Sequence, residues 1–267
     1  MADPHVIQDP SDPRLDDFRD LTVADRRPDR PGGRGAVIAE GVVVVRRLLA
    51  SPYPVRAVLG VAARVDDLRG DLSAVDVPVY VVTPQVMSDV VGFHLNRGVL
   101  AVADRGRPRA AEELLTGDRL LILEGVNDHE NLGALFRNAA ALGVDAVLLG
   151  HRCSDPLYRR SVRVSMGHVL RLPFATLPRW PEDLSAVRAA GHSLVALTPC
   201  AGALPLSEFD PSRHPRVALL VGAEGPGLSE AALTKADVRV RIPMAGGVDS
   251  LNVATAAAIA SYHLGSG

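Results

Sequence analysis

The sequence predicts an α/β protein built as two layered domains. Three observations carry that reading. Short apolar strands alternate with helical stretches along most of the chain. Strands of the second half, such as 217–221, are apolar throughout, as strands are in a mainly parallel sheet covered on both faces. A polar, arginine-rich stretch over 104–109 (D-R-G-R-P-R) interrupts the alternation and reads as a linker, so the domains are expected at 1–107 and 108–267. Each part is long enough to bury its own core.

In order, residues 1 to about 20 are rich in Asp and Pro and are expected to be a flexible, extended start. Strands follow at 36–39, 55–59, 79–82 and 99–102, with helices at 42–49, 65–72 (weak) and 84–91 between them. In the second domain, strands are expected at 119–123, 146–149, 194–197, 217–221 and 238–242. The helices there are 131–142, 156–164, 180–190, 229–236 and a last one running to about His263, capped by Asp249 or Ser250. That last helix is almost all small apolar residues, which suits close backbone packing in a buried position.

Composition narrows the function. With 47% hydrophobic and 22% charged residues the chain is ordinary for a folded domain. A formal net charge of −2 gives no overall signal for nucleic acid, so any RNA contact must come from local patches. Lys235 is the only lysine, which makes 28 of the 29 basic residues arginine. That skew suits phosphate recognition and equally a GC-rich genome. Two cysteines, Cys153 and Cys200, fit a reducing compartment and offer no metal spacing. The N-terminal residues show no signal peptide and no stretch reaches the roughly 18 apolar residues of a membrane span. The expectation is a cytoplasmic protein with no membrane partner and no metal.

Chemistry is expected where strands end. In open α/β sheets ligands bind beyond the carboxyl ends of the strands, and three such ends carry unusual loops. The first is Thr198, Pro199 and Cys200. The second is Gly222 to Gly227, three glycines with Glu224 among them. The third runs from Pro243 to Ser250 and holds Gly246 and Gly247. Neither a G-x-G-x-x-G after a first strand nor a P-loop is present, which argues against a standard dinucleotide or nucleotide-triphosphate site. In the first half, the loop 25–35 carries Arg26, Arg27, Arg30 and Arg34 among glycines, and the turn 92–98 carries His94, Asn96 and Arg97. Both could meet RNA phosphates. The first could equally be a solvated loop balanced by Asp25 and Asp29.

Three stretches, in this order, resemble the SpoU (TrmH-like) class of RNA 2′-O-methyltransferases, within the knotted SPOUT superfamily. They are N-D-H-E-N-L-G-A-L-F-R-N-A-A-A-L-G with Asn131, Gly133 and Arg137; L-V-G-A-E-G-P-G-L-S with Gly222, Glu224 and Gly227; and I-P-M-A-G-G-V-D-S-L-N-V-A-T-A-A-A-I-A with Ile242, Pro243, Met244, Ser250, Leu251 and Asn252. The likeness spans residues 119–264. It implies a deep trefoil knot in the second domain, an exception to the near absence of knots in proteins. It also implies a homodimer and an S-adenosylmethionine site contacted by Thr198, Gly222, Ile242, Met244 and Leu251, largely through backbone.

The reaction implied is methyl transfer to a ribose 2′-OH, with Arg137 as its central residue. Asn131 would orient Arg137 or the ribose, Glu224 would accept hydrogen bonds from the loops, and Ser250 and Asn252 would line the ribose pocket. Arginine keeps its proton to above about pH 12, so Arg137 is expected to grip the neighbouring phosphate and stabilise the developing alkoxide. Without the motif it would read as a helix-surface ion-pair residue. The stretches R-G-A-V-I-A-E-G-V-V-V-V-R-R-L-L and F-H-L-N-R-G-V-L-A are similar to the ribosomal-protein-like substrate domain of many SpoU enzymes, which favours ribosomal over transfer RNA. A transfer RNA methyltransferase and a non-catalytic RNA-binding protein keeping the fold are the alternatives.

Overall fold

The computed structural model describes residues 4–19, 21–30, 33–246 and 248–265. The chain divides into two compact units, Met1–Arg107 with Asp155–Arg171, and Pro108–Ser154 with Leu172–Gly267. A single cut after residue 107 therefore misses the segment Asp155–Arg171, which folds with the first unit.

The first unit holds a five-stranded sheet of β1 (His5–Val6), β2 (Ala36–Glu40), β3 (Val55–Gly60), β4 (Val79–Val81) and β5 (Val99–Asp104), ordered β1-β4-β3-β5-β2. It is mixed: β1 and β3 run parallel to β4, while β5 is antiparallel to both β2 and β3. Its helices are α1 (Leu21–Ala24), α2 (Val42–Leu49), α3 (Ala62–Asp66), α4 (Arg69–Ser73) and α5 (Pro84–Val91). Thr83 caps α5 by accepting the Val86 N–H at 3.2 Å, and Gly92 ends it at a φ of 81°. The expected single weak helix over 65–72 is two short ones, α3 and α4.

The expected flexible start is another correction. Residues 13–18 form a 3-10 helix capped by Asp12, and Leu15, Phe18 and Leu21 are fully buried in the core of the first unit. Composition hid this: the Asp and Pro residues face water and cap the turn, while three well-spaced apolar side chains supply the burial.

The second unit holds seven strands: β6 (Arg119–Glu124), β7 (Ala146–Leu149), β8 (Phe174–Thr176), β9 (Ser193–Leu197), β10 (Leu204–Pro205), β11 (Val217–Gly222) and β12 (Val238–Arg241). They are ordered β10-β12-β9-β11-β6-β7-β8, and every neighbouring pair is parallel. Its helices are α6 (His129–Ala141), α8 (Leu184–Ala189), α9 (Glu230–Lys235) and α10 (Val253–Gly265), and the remaining helix, α7 (Arg159–Val164), belongs to the first unit. The expected helix over 180–190 is confined to α8. The helix expected over 156–164 begins at Arg159. No helix among the described residues is long and apolar enough to cross a membrane.

Candidate functional site

Sheet order builds the site. β12, β9 and β11 are adjacent and parallel, so the loops leaving their carboxyl ends lie along one edge. A cavity of about 440 Å³ opens there, within the size range of small-molecule sites. Its lining includes Thr198, Gly222, Ile242, Met244 and Leu251, the five positions expected to contact a cofactor, together with Glu224, Ser250 and Asn252. Gly247, in the same loop, lies outside the described residues.

The loop after β11 is held by close backbone packing. Ala223 and Gly227 form an antiparallel bridge in which the Gly227 N–H donates to the Ala223 carbonyl at 3.0 Å. Gly225 and Gly227 take φ of 85° and 70°, a region that favours glycine. The loop is fixed below by Glu124, a residue not singled out in the sequence. Its carboxylate is buried and accepts the Ser229 N–H at 2.8 Å and the Trp180 indole N–H. A glutamate closing the apolar run Leu120–Leu123 is the signal that could have flagged it, since such a charge needs buried donors.

Asn252 is the junction of the site. Its Oδ1 accepts the N–H groups of Ala254 at 3.0 Å and Thr255 at 3.2 Å, so Asn252 caps α10, rather than Asp249 or Ser250 as expected. Its Nδ2 donates to Asn131 Oδ1 at 2.8 Å and to Glu224 Oε1 at 2.7 Å. The amide thus uses both donors and both lone pairs. Aspartate there would keep the cap but set a carboxylate against Glu224. The Asn138 Nδ2 of α6 adds a bond to the Ala254 carbonyl at 3.0 Å, and α6 packs on α10. Asp128 caps α6 through the N–H groups of Glu130 and Asn131, which fixes where Asn131 starts its turn.

Arg137 is not part of the cavity lining. It is exposed on α6 and makes no ion pair among the described residues, so the surface ion-pair reading has no partner there. Of the cysteines, Cys200 is exposed. Cys153 donates to the Leu123 carbonyl at 3.2 Å, and burial pushes its thiol up to about 11, which keeps it protonated at neutral pH.

The residues expected to meet RNA lie in the first unit. Arg26, Arg27 and Arg30 are exposed, Arg27 pairing with Asp29 at 3.3 Å. Arg34 instead ties down the chain start, donating to the carbonyls of Asp16 at 3.2 Å and Arg19 at 3.0 Å. Asp25 is no solvated counter-charge. It is fully buried, its Oδ2 accepts the Arg159 N–H at 2.6 Å, and burial raises its pKa. His94, Asn96 and Arg97 are exposed on the turn before β5.

The chain is similar to known proteins in sequence and in fold. Residues 118–262 match the SpoU rRNA Methylase family. An uncharacterized tRNA/rRNA methyltransferase of Mycobacterium tuberculosis is 56% identical over 96% of this chain and 90% of its own length. The 23S rRNA (guanosine(2553)-2′-O)-methyltransferase of Bacillus subtilis is 32% identical over 85% of this chain and 87% of its own. A crystal structure of AdoMet-bound rRNA methyltransferase from Sinorhizobium meliloti superposes with a TM-score of 0.80 at 26% identity, covering 97% of this chain and 96% of that one. With its three motif stretches gathered at one edge of a parallel sheet, and a family match over most of the second unit, the chain belongs to the SpoU rRNA methylase family.

Proposed function

We propose that this protein is an S-adenosylmethionine-dependent RNA methyltransferase that methylates a ribose 2′-OH, with ribosomal RNA as its target. The observation that carries the reading is the Asn252 junction, which joins the first, second and third motif stretches through Asn131 and Glu224 at the mouth of one cavity. The 2′-O chemistry and the ribosomal target are supported by the name of the Bacillus subtilis relative, and the cofactor by the AdoMet-bound Sinorhizobium structure.

The residues fit the cofactor. Leu197, Ile242, Met244 and Leu251 offer apolar walls for an adenosine, and the glycine loop after β11 leaves backbone groups open for its polar edges. When bound, S-adenosylmethionine supplies a methyl group already activated by its sulfonium. The remaining task is to align the hydroxyl with the methyl carbon and to stabilise the charge that develops on oxygen. In this reading Asn131, Ser250 and Asn252 face the ribose and Glu224 holds Asn252 in place. Arg137, outside the cavity, takes the phosphate beside the target nucleotide. Calorimetry should detect binding of S-adenosylmethionine in the presence of EDTA, since no metal takes part. Absence of binding at millimolar cofactor would remove the enzyme reading and leave an RNA-binding protein.

A knotted second domain, a ribosomal-protein-like RNA-reading first domain, a homodimer and a cytoplasmic location complete the proposal. The knot is supported by the strand order, in which β11 enters between β6 and β9 late in the chain. Pairing is supported by Thr255, Ile259 and Tyr262, which lie on one stripe of α10 and are exposed, Ile259 by 41% and Tyr262 by 69%. Twofold pairing is the commonest oligomer. Light scattering should give twice the chain mass at micromolar concentration, and a monomer mass would contradict the pairing.

A further inference from the structure

α7 lies within the stretch that matches the methylase family, yet it packs on β2, the edge strand of the first sheet. Its Ser161 and Val162 are fully buried, and Leu157, Val169 and Leu170 anchor the segment on either side. What it adds to the first unit is charge. Arg159 and Arg163 are four residues apart and so share one face of the helix, an arrangement of like charges that costs stability unless an anion answers it.

One carboxylate answers part of it. Glu40, at the end of β2, is buried and stands 3.8 Å from Arg159 Nη1 and 3.7 Å from Arg97 Nε. These separations are longer than a charge-assisted hydrogen bond, so Glu40 orients both guanidinium groups without consuming their donors. The Arg159 guanidinium also lies over the Phe93 ring, 4.9 Å from its centre, which restricts it further. Gly41 permits the approach: its φ is 90° and an added Cβ would stand 2.9 Å from Arg97 Cδ. Arg163 has no ion pair among the described residues. Two guanidinium groups, those of Arg97 and Arg159, therefore flank one buried carboxylate, with Arg163 one turn along α7 from Arg159 and the exposed His94 and Asn96 on the turn that carries Arg97.

We infer that α7 is an RNA-reading element of the first unit, in which Arg97 and Arg159, both set by Glu40, and Arg163 one turn further along α7 take the phosphates of the RNA backbone. The inference rests on the RNA methyltransferase reading and specifies where the substrate backbone is held. Glu40 is a positioning residue and touches no RNA.

The test uses the full-length chain and an unmodified transcript of large-subunit ribosomal RNA. Arg163→Gln should weaken binding about tenfold, as for loss of one charged hydrogen-bond donor, and reduce the slope of log K against log salt by about one. Arg163→Lys should recover most of that slope, because a point charge still meets a phosphate. Glu40→Gln should raise KM for RNA more than it lowers kcat, with cofactor affinity as in the wild type. A slope for Arg163→Gln equal to that of the wild type, in a chain that still binds and methylates RNA, would overturn the assignment of α7 alone. A wild-type chain that binds no RNA would overturn the methyltransferase reading with it.

Discussion

Arg137→Ala should lower methyl transfer about 10²–10³-fold, the usual cost of losing a charge contact made in the transition state. Cofactor affinity should stay within a few-fold of wild type, because Arg137 does not line the cavity. The size of the expected effect follows from its surroundings. An exposed arginine with no ion pair among the described residues is worth little to stability, so its removal should leave the fold intact. Arg137→Lys should recover little, since a point charge does not copy the planar fork that grips a phosphate and an alkoxide together. RNA carrying 2′-deoxyribose at the target should bind and accept no methyl group. Methylation of that deoxy substrate would move the acceptor to a base atom. Normal turnover by Arg137→Ala would return Arg137 to a surface role and leave the charge-stabilising group to be found elsewhere.

The second unit was more legible in the sequence than the first, for a physical reason. Its long strands are buried on both faces, so 119–123, 146–149 and 217–221 stand out as apolar runs, and the structure extends the first and last by one residue. Its functional loops announce themselves because a ligand approaching backbone requires glycine, and Gly222, Gly225 and Gly227 cluster where a strand ends. The short strands β1, β8 and β10, two or three residues each, carry no readable period. They exist because neighbouring strands supply partners for their N–H groups. The cap of α10 was misplaced for a similar reason. Asp249, Ser250 and Asn252 are all good caps, and only the position of Asn131 and Glu224 across the site decides among them.

The segment Asp155–Arg171 was illegible in another way. Its motif neighbourhood placed it with the second domain, while its packing places it with the first. What decides is the burial of Ser161 and Val162 against β2, a long-range contact with no local signature. One consequence is practical. A fragment beginning near Ala110 would keep this segment and lose the unit that buries it, so substrate reading is better separated by point substitutions than by truncation.

Gly222→Ala should be the most damaging single methyl group that can be added to the cavity. A Cβ at Gly222 would stand 2.1 Å from the carbonyl carbon of Gly227 and 2.2 Å from the Leu228 nitrogen. Both are backbone atoms, so no rotamer change relieves the clash. The loop would have to move away from β11, breaking the Ala223–Gly227 bridge and shifting Glu224, which accepts from Asn252. Overpacking of this kind typically costs about 1–3 kcal/mol, and here the strain falls on the cavity wall itself. Cofactor affinity should fall more than tenfold, with a lower melting temperature. Gly225→Ala is the control within the same loop. An added Cβ there meets nothing within 4 Å, and only the φ of 85° opposes it, a cost of about 1–2 kcal/mol. Its cofactor affinity should remain much nearer wild type. If calorimetry gives Gly222→Ala the wild-type affinity and melting temperature, the loop after β11 is not the rigid wall of the cofactor site, and the cavity must be shaped by the other two loops.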